Sequence, residues 1–176
     1  MNCRPLALCL PALLAACAGA PMAPAVEIPA ALQPANTVLV TVVAARGVQI
    51  YECRAKKDQP GANEWAFVAP DAELFDSSDK HVGKHYAGPH WEAADGSKLV
   101  GAVKARADAP QAGAIPWLLL TTKSVGGDGA FSRASYIQRV NTIGGVAPMQ
   151  GCDSASLGKT MRVVYTADYR LLRTYP

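Results

Sequence analysis

From Thr37 onward, apolar and polar residues alternate in short runs separated by Gly, Pro, Asp and Asn, the pattern of β-strands rather than helices. The clearest run is Met161 to Leu172. There Val163, Tyr165, Ala167, Tyr169 and Leu171 share one face, while Arg162, Thr166, Asp168 and Arg170 lie mostly on the other. Lys98 to Lys104, Trp117 to Lys123 and Ser135 to Asn141 read as further strands, and Trp65 to Val68 as one ended by Pro70. Thr37 to Val43 and Val48 to Cys53 read as a pair joined across Ala45-Arg46-Gly47. No window of comparable length carries a helical stripe. The expectation is an all-β fold, one antiparallel sandwich or small barrel-like domain with long loops; the pattern leaves the two open.

Turn chemistry organises the middle of the chain. Gly88-Pro89 and Asp95-Gly96 punctuate the run His85 to Ser97, because glycine permits positive φ, proline fixes its own φ and Asp-Gly suits a tight hairpin. His90 to Ala94 and Lys98 to Lys104 therefore read as hairpin arms. Val125 to Gly129, mostly glycine, reads as a mobile loop.

The N-terminal region has a different texture. Met1 to Ala16 carries Arg4 and then the apolar run Pro5 to Ala16, shorter than the roughly 20 residues of a membrane-spanning helix. It reads as an export signal ending in Leu14-Ala15-Ala16-Cys17, the pattern of a lipobox, so Cys17 is the expected lipid-bearing first residue of the mature chain. Ordinary cleavage after Ala18-Gly19-Ala20 is the alternative, disfavoured by Pro21 beyond the bond. Ala18 is not the aspartate associated with inner-membrane retention. The expected division is a signal at 1–16, an Ala/Pro-rich spacer at 17–35 and a β domain at 36–176. The expected location is the outer membrane, facing the periplasm or cell surface, with a soluble periplasmic or secreted protein as the alternative.

Several residue runs together resemble one family of proteins. They are Gly47-Val48-Gln49-Ile50-Tyr51-Glu52-Cys53, the Gly83-x-His85-Tyr86-Ala87-Gly88-Pro89-x-Trp91-Glu92 run with Asp95-Gly96-Ser97, Ile115-Pro116-Trp117-Leu118-Leu119-Leu120, Tyr136-Ile137-Gln138-Arg139-Val140-Asn141-Thr142, and Gly151-Cys152-Asp153. In these the chain resembles DUF3455, a family of secreted proteins of bacteria and fungi, from about residue 35 to the end. The resemblance brings no activity with it.

Composition narrows the function classes. The 176 residues are half hydrophobic, and 17 basic against 14 acidic side chains give +3. That balance, with no basic run interleaved with aromatics, argues against a nucleic-acid partner. With Cys3 and Cys9 in the signal and Cys17 taking lipid, Cys53 and Cys152 remain as an even pair in an oxidising compartment, and a disulfide between them is expected.

Candidate chemistry concentrates in one stretch. His85, Tyr86, His90, Trp91 and Glu92 form the candidate ligand site, because the Gly88-Pro89 bend could bring polar groups and an aromatic platform together on one loop. The competing reading has Trp91 filling the core and His85 satisfying a buried backbone group. His81, His85 and His90 are weaker candidates for zinc or copper, since Gly88-Pro89 redirects His90 and only His85 falls in the family-like pattern. Trp117 and Tyr136 read as core, and Arg139 as part of an exposed stripe, with a buried anchor for a carboxylate as the less favoured alternative.

Enzyme signatures are incomplete. Ser156-Leu157-Gly158-Lys159 lacks the companion motifs of serine acylases, and Gly158-Lys159-Thr160 lacks the earlier glycine of a phosphate loop, Asp153 standing there instead. The functional expectation is therefore a binding or structural module of the cell envelope. It would need no cofactor, and its partners would be the membrane through its lipid and a small molecule or envelope protein. The alternative is a periplasmic enzyme or metal-binding protein using His85.

Overall fold

A computed structural model describes residues 27–175. The described residues form eight strands: β1 (Thr37–Ala55), β2 (Asn63–Phe75), β3 (His81–Tyr86), β4 (His90–Ala93), β5 (Lys98–Ala107), β6 (Trp117–Ser124), β7 (Tyr136–Gly144) and β8 (Thr160–Thr174). Each pairs antiparallel with the next, and β8 returns to β1, so one sheet closes in a ring. Of the two expected architectures, the ring is the one formed. Closure leaves neither terminal strand with an unpaired edge.

The closing seam is long. β1 and β8 pair from Thr37↔Thr174 to Glu52↔Thr160. The alternation read in β8 holds: Tyr165, Ala167, Tyr169 and Leu171 are buried inside, whereas Val164 is 72% exposed. Inside the ring they meet Val43 and Ala45 of β1, Leu74 of β2, Trp91 of β4, Leu99 of β5, Leu120 of β6 and Ile137 of β7.

Two sequence expectations need correction here. Ala45-Arg46-Gly47 is no turn, because β1 runs through it unbroken. A β-carbon on Gly47 would come within 2.2 Å of the Asp71 carbonyl oxygen, so this glycine serves the close approach of β2 rather than a reversal. Likewise β2 does not end before Pro70. Pro70 lies beside the irregularity at Ile50/Tyr51 and beyond the stretch that β3 reaches, a place where a missing N–H is tolerated.

The hairpin across Asp95-Gly96 forms as expected. Asp95 braces it: its carboxylate accepts from the Ser97 N–H and hydroxyl (2.9 and 2.6 Å) and from the Ala130 N–H (2.7 Å). These bonds, the Ser97 hydroxyl foremost, hold the Asp95 carboxyl below its ordinary pKa. The glycine-rich loop at Val125 to Gly129 is not strand, and it is held at both ends, since the Val125 N–H also donates to Lys98 (2.9 Å).

Outside the ring, a second apolar layer forms where a spacer was expected. Ala30–Leu32 makes a 3-10 turn, and Leu32, 0% exposed, packs with Ile28 against Trp117, Leu119 and Val140. Gln138 Nε2 donates to the Leu32 carbonyl (2.7 Å). The end of the 17–35 spacer is thus docked on the sheet, which explains why Trp117 to Leu120 is apolar on both faces: Leu118 and Leu120 face inward, Trp117 and Leu119 lie under the turn. The expected signal at 1–16 and lipidation at Cys17 fall outside the described residues.

Cys53 and Cys152 are joined by a disulfide, with Cα atoms 5.3 Å apart. It ties the end of β1 to the loop before β8, as expected from the cysteine arithmetic.

Candidate functional site

Strand alternation, not loop convergence, disposes the candidate residues. β3 and β4 pair His85 with Trp91, Tyr86 with His90 and Lys84 with Glu92. Directly paired residues share a face and neighbours alternate, so His85 and Trp91 point into the ring while Tyr86, His90 and Glu92 point out. The expected single cluster is split in two.

The outer group is a surface network. Tyr86 and His90 stack with ring centroids 5.4 Å apart. The Tyr86 hydroxyl donates to Glu92 (2.5 Å), and Lys98 pairs with the same carboxylate at 3.0 Å. The Tyr86 hydrogen bond, then Lys98, hold the Glu92 carboxyl below its ordinary pKa.

The inner group is a stacked core with a cavity beside it. His85 lies over Trp91, centroids 4.1 Å apart and 15° from parallel, and Tyr169 meets both rings edge-on at 5.0 and 5.3 Å. His85 Nδ1 donates to the His90 carbonyl at 2.8 Å, which places the proton on Nδ1 and leaves Nε2 as an acceptor. Burial pushes the imidazole pKa down to about 3, so the ring is neutral at physiological pH. His85 therefore satisfies a backbone group and Trp91 fills core, while both also line a cavity of about 100 Å3.

The cavity opens sideways because the β3–β4 hairpin is short. β2 extends past the last residue paired with β3, and β5 past the last paired with β4. Phe67 is paired with the inward Tyr51, and Val103 with the inward Leu120, so both sit on the inner face. Yet they are 53% and 58% exposed, because no strand covers them at this height. With Pro89 at the hairpin tip they frame the opening.

Arg139 also lines this cavity. It is the register partner of Tyr169 on one side and Leu118 on the other, both inward, so it belongs to the inner face and not to an exposed stripe. Its Nε and one Nη donate to the Pro116 carbonyl at 3.1 and 2.8 Å. The sequence favoured the exposed stripe over the buried alternative because both faces of β7 carry apolar residues, Ile137 inside and Val140 beneath the 3-10 turn. Tyr169 also lines the cavity, and its hydroxyl lies 3.3 Å from that of Tyr165 in the core behind it; burial raises both pKa values.

The three histidines do not converge. An irregularity in the β2–β3 pairing between Leu74 and Phe75 shifts the alternation, so Val82 packs against the core and His81 faces solvent, bonded to Glu73. His90 Nδ1 donates to the Ala87 carbonyl on the outside (2.7 Å). Among the described residues no group of three His, Cys, Asp or Glu side chains is placed to hold a metal.

Fold and site together define an all-β protein whose closed antiparallel ring encloses an aromatic core with a small lateral cavity. A family model, described as a protein of unknown function (DUF3455), matches residues 34–173, and the chain belongs to that family. No curated protein and no solved structure matches it.

Proposed function

We propose that the protein is an exported, lipid-tethered binding module of the cell envelope that holds a small molecule in the lateral cavity beside His85 and Trp91. The observation that carries this reading is the mouth framed by Phe67 and Val103, inner-face residues left uncovered over a stacked aromatic floor. Small-molecule sites are concave, largely apolar and furnished with a few fixed polar groups, and this cavity has that composition. The tether rests on Leu14 to Cys17, and the Cys53–Cys152 bridge is compatible with an oxidising compartment outside the cytoplasm.

Binding is favoured over catalysis by the state of His85. A general base works best with a pKa near the working pH, and a ring held near 3 by burial is a weak one. The test is a nuclear magnetic resonance screen of small apolar and amphipathic molecules, read at the Trp91 indole and the His85 ring. The expected result is a saturable shift of both, lost in Leu118→Phe, which fills the cavity. A screen that moves neither signal, or binding untouched by Leu118→Phe, would overturn the reading.

A further inference from the structure

The charge balance of the cavity points to the class of molecule it takes. Of the side chains lining it, Arg139 alone is charged, His85 being neutral. Among the described residues no carboxylate lies within 4.0 Å of Arg139, whose two hydrogen bonds both go to the Pro116 carbonyl. A guanidinium presents more donors than those two bonds use, in a planar fork that matches a carboxylate. Its cross-strand partner Tyr169 lines the same cavity. A half-buried cation facing an apolar cavity is stabilised by an anion that shares its desolvated surroundings.

Size and polarity limit that anion further. A cavity of about 100 Å3 is smaller than the roughly 150 Å3 that accommodates benzene, so a short hydrocarbon chain fills it. Larger bodies would protrude between Phe67 and Val103. A lining with one cation offers no partner for a second anionic group. We infer that the cavity takes a small apolar monocarboxylate, its carboxylate on the Arg139 guanidinium and its hydrocarbon part against Trp91, Leu118 and Leu120. This rests on the cavity being a binding site and adds the class of its occupant.

The experiment compares isobutyrate with its neutral isostere isobutyramide on the full chain, read as shifts of the Trp91 indole and His85 ring. The acid should bind at least about tenfold more tightly than the amide, the worth of one charge-assisted bond. Arg139→Gln should erase that preference, and Arg139→Lys should keep it at lower affinity, because the charge stays while the fork is lost. If Arg139→Gln does not fold, the acid–amide ratio on the wild type and Arg139→Lys still decide. Equal binding of acid and amide would overturn the carboxylate assignment and leave the site standing, as would a response to other neutral probes alone. If no probe of any class moves these rings, the site itself is lost, and this inference with it.

Discussion

Gly101 makes room for Trp91: a β-carbon at Gly101 would come 2.7 Å from Cζ3 of the indole and 3.3 Å from Leu120 Cδ2. The aromatic floor of the cavity thus depends on a missing side chain one strand away. Gly101→Ala should cost about 1–3 kcal/mol, as overpacking of a filled interior does, and should shift the Trp91 indole resonance. Gly127→Ala, where the added carbon meets nothing within 4 Å, is the control and should melt as wild type. A Gly101→Ala protein that melts with the control would mean that Trp91 can yield freely.

The parts of the fold legible in the sequence were those where local rules act alone. β8 alternates cleanly because its outer face meets solvent, and the Asp95-Gly96 hairpin follows from turn chemistry. Where a second layer covers the sheet, the signal blurs: with Leu32 docked outside, β6 and β7 are apolar on both faces, and the inward direction of Arg139 was lost in that ambiguity. Gly47 signals both turn and close approach, and only the position of β2 tells them apart. The candidate site was half visible. His85 and Trp91 were singled out for the right stretch, but the separation of Tyr86, His90 and Glu92 to the outside follows from register, and that of His81 from an irregularity with no local signature.

The Cys53–Cys152 bridge closes a loop of 99 residues, which in the chain-entropy account stabilises by about 4–5 kcal/mol. For a chain of this size, reduction or the double Cys→Ala change should lower Tm by roughly 10–20 °C. Thiol labelling of the unreduced, denatured protein should leave both positions unmodified. Labelling at both, with Tm indifferent to reductant, would show the two cysteines to be free.

The N terminus is decided by mass. With Leu14-Ala15-Ala16-Cys17 read as a lipobox, the mature protein should begin at Cys17, carry diacylglycerol and partition into the membrane fraction, and Cys17→Ala should release it. A mature chain starting unmodified at Pro21 would replace the tether with simple secretion.

His85 links the site to acid stability. Its pKa falls from 6.5 to about 3 on folding, so the folded state binds fewer protons than the unfolded chain between those values. The contribution of the buried neutral ring is therefore complete above pH 6.5 and declines as pH falls toward 3. His85→Phe keeps an aromatic against Trp91 but cannot titrate, and it leaves the His90 carbonyl without its donor, a cost of about 1–3 kcal/mol at neutral pH. As pH drops from 6.5 to 4 the wild type should lose about 3 kcal/mol relative to the variant, enough to erase the neutral-pH gap or reverse it. Asp95 and Glu92, whose carboxyls are held low in the fold, add their own acid loss below their ordinary values, but equally in both proteins. Denaturant melts of the two proteins across this range read the difference directly. Curves that stay parallel down to pH 4 would show that His85 charges inside the ring without penalty, against the burial that holds its pKa down in the stack with Trp91 and Tyr169.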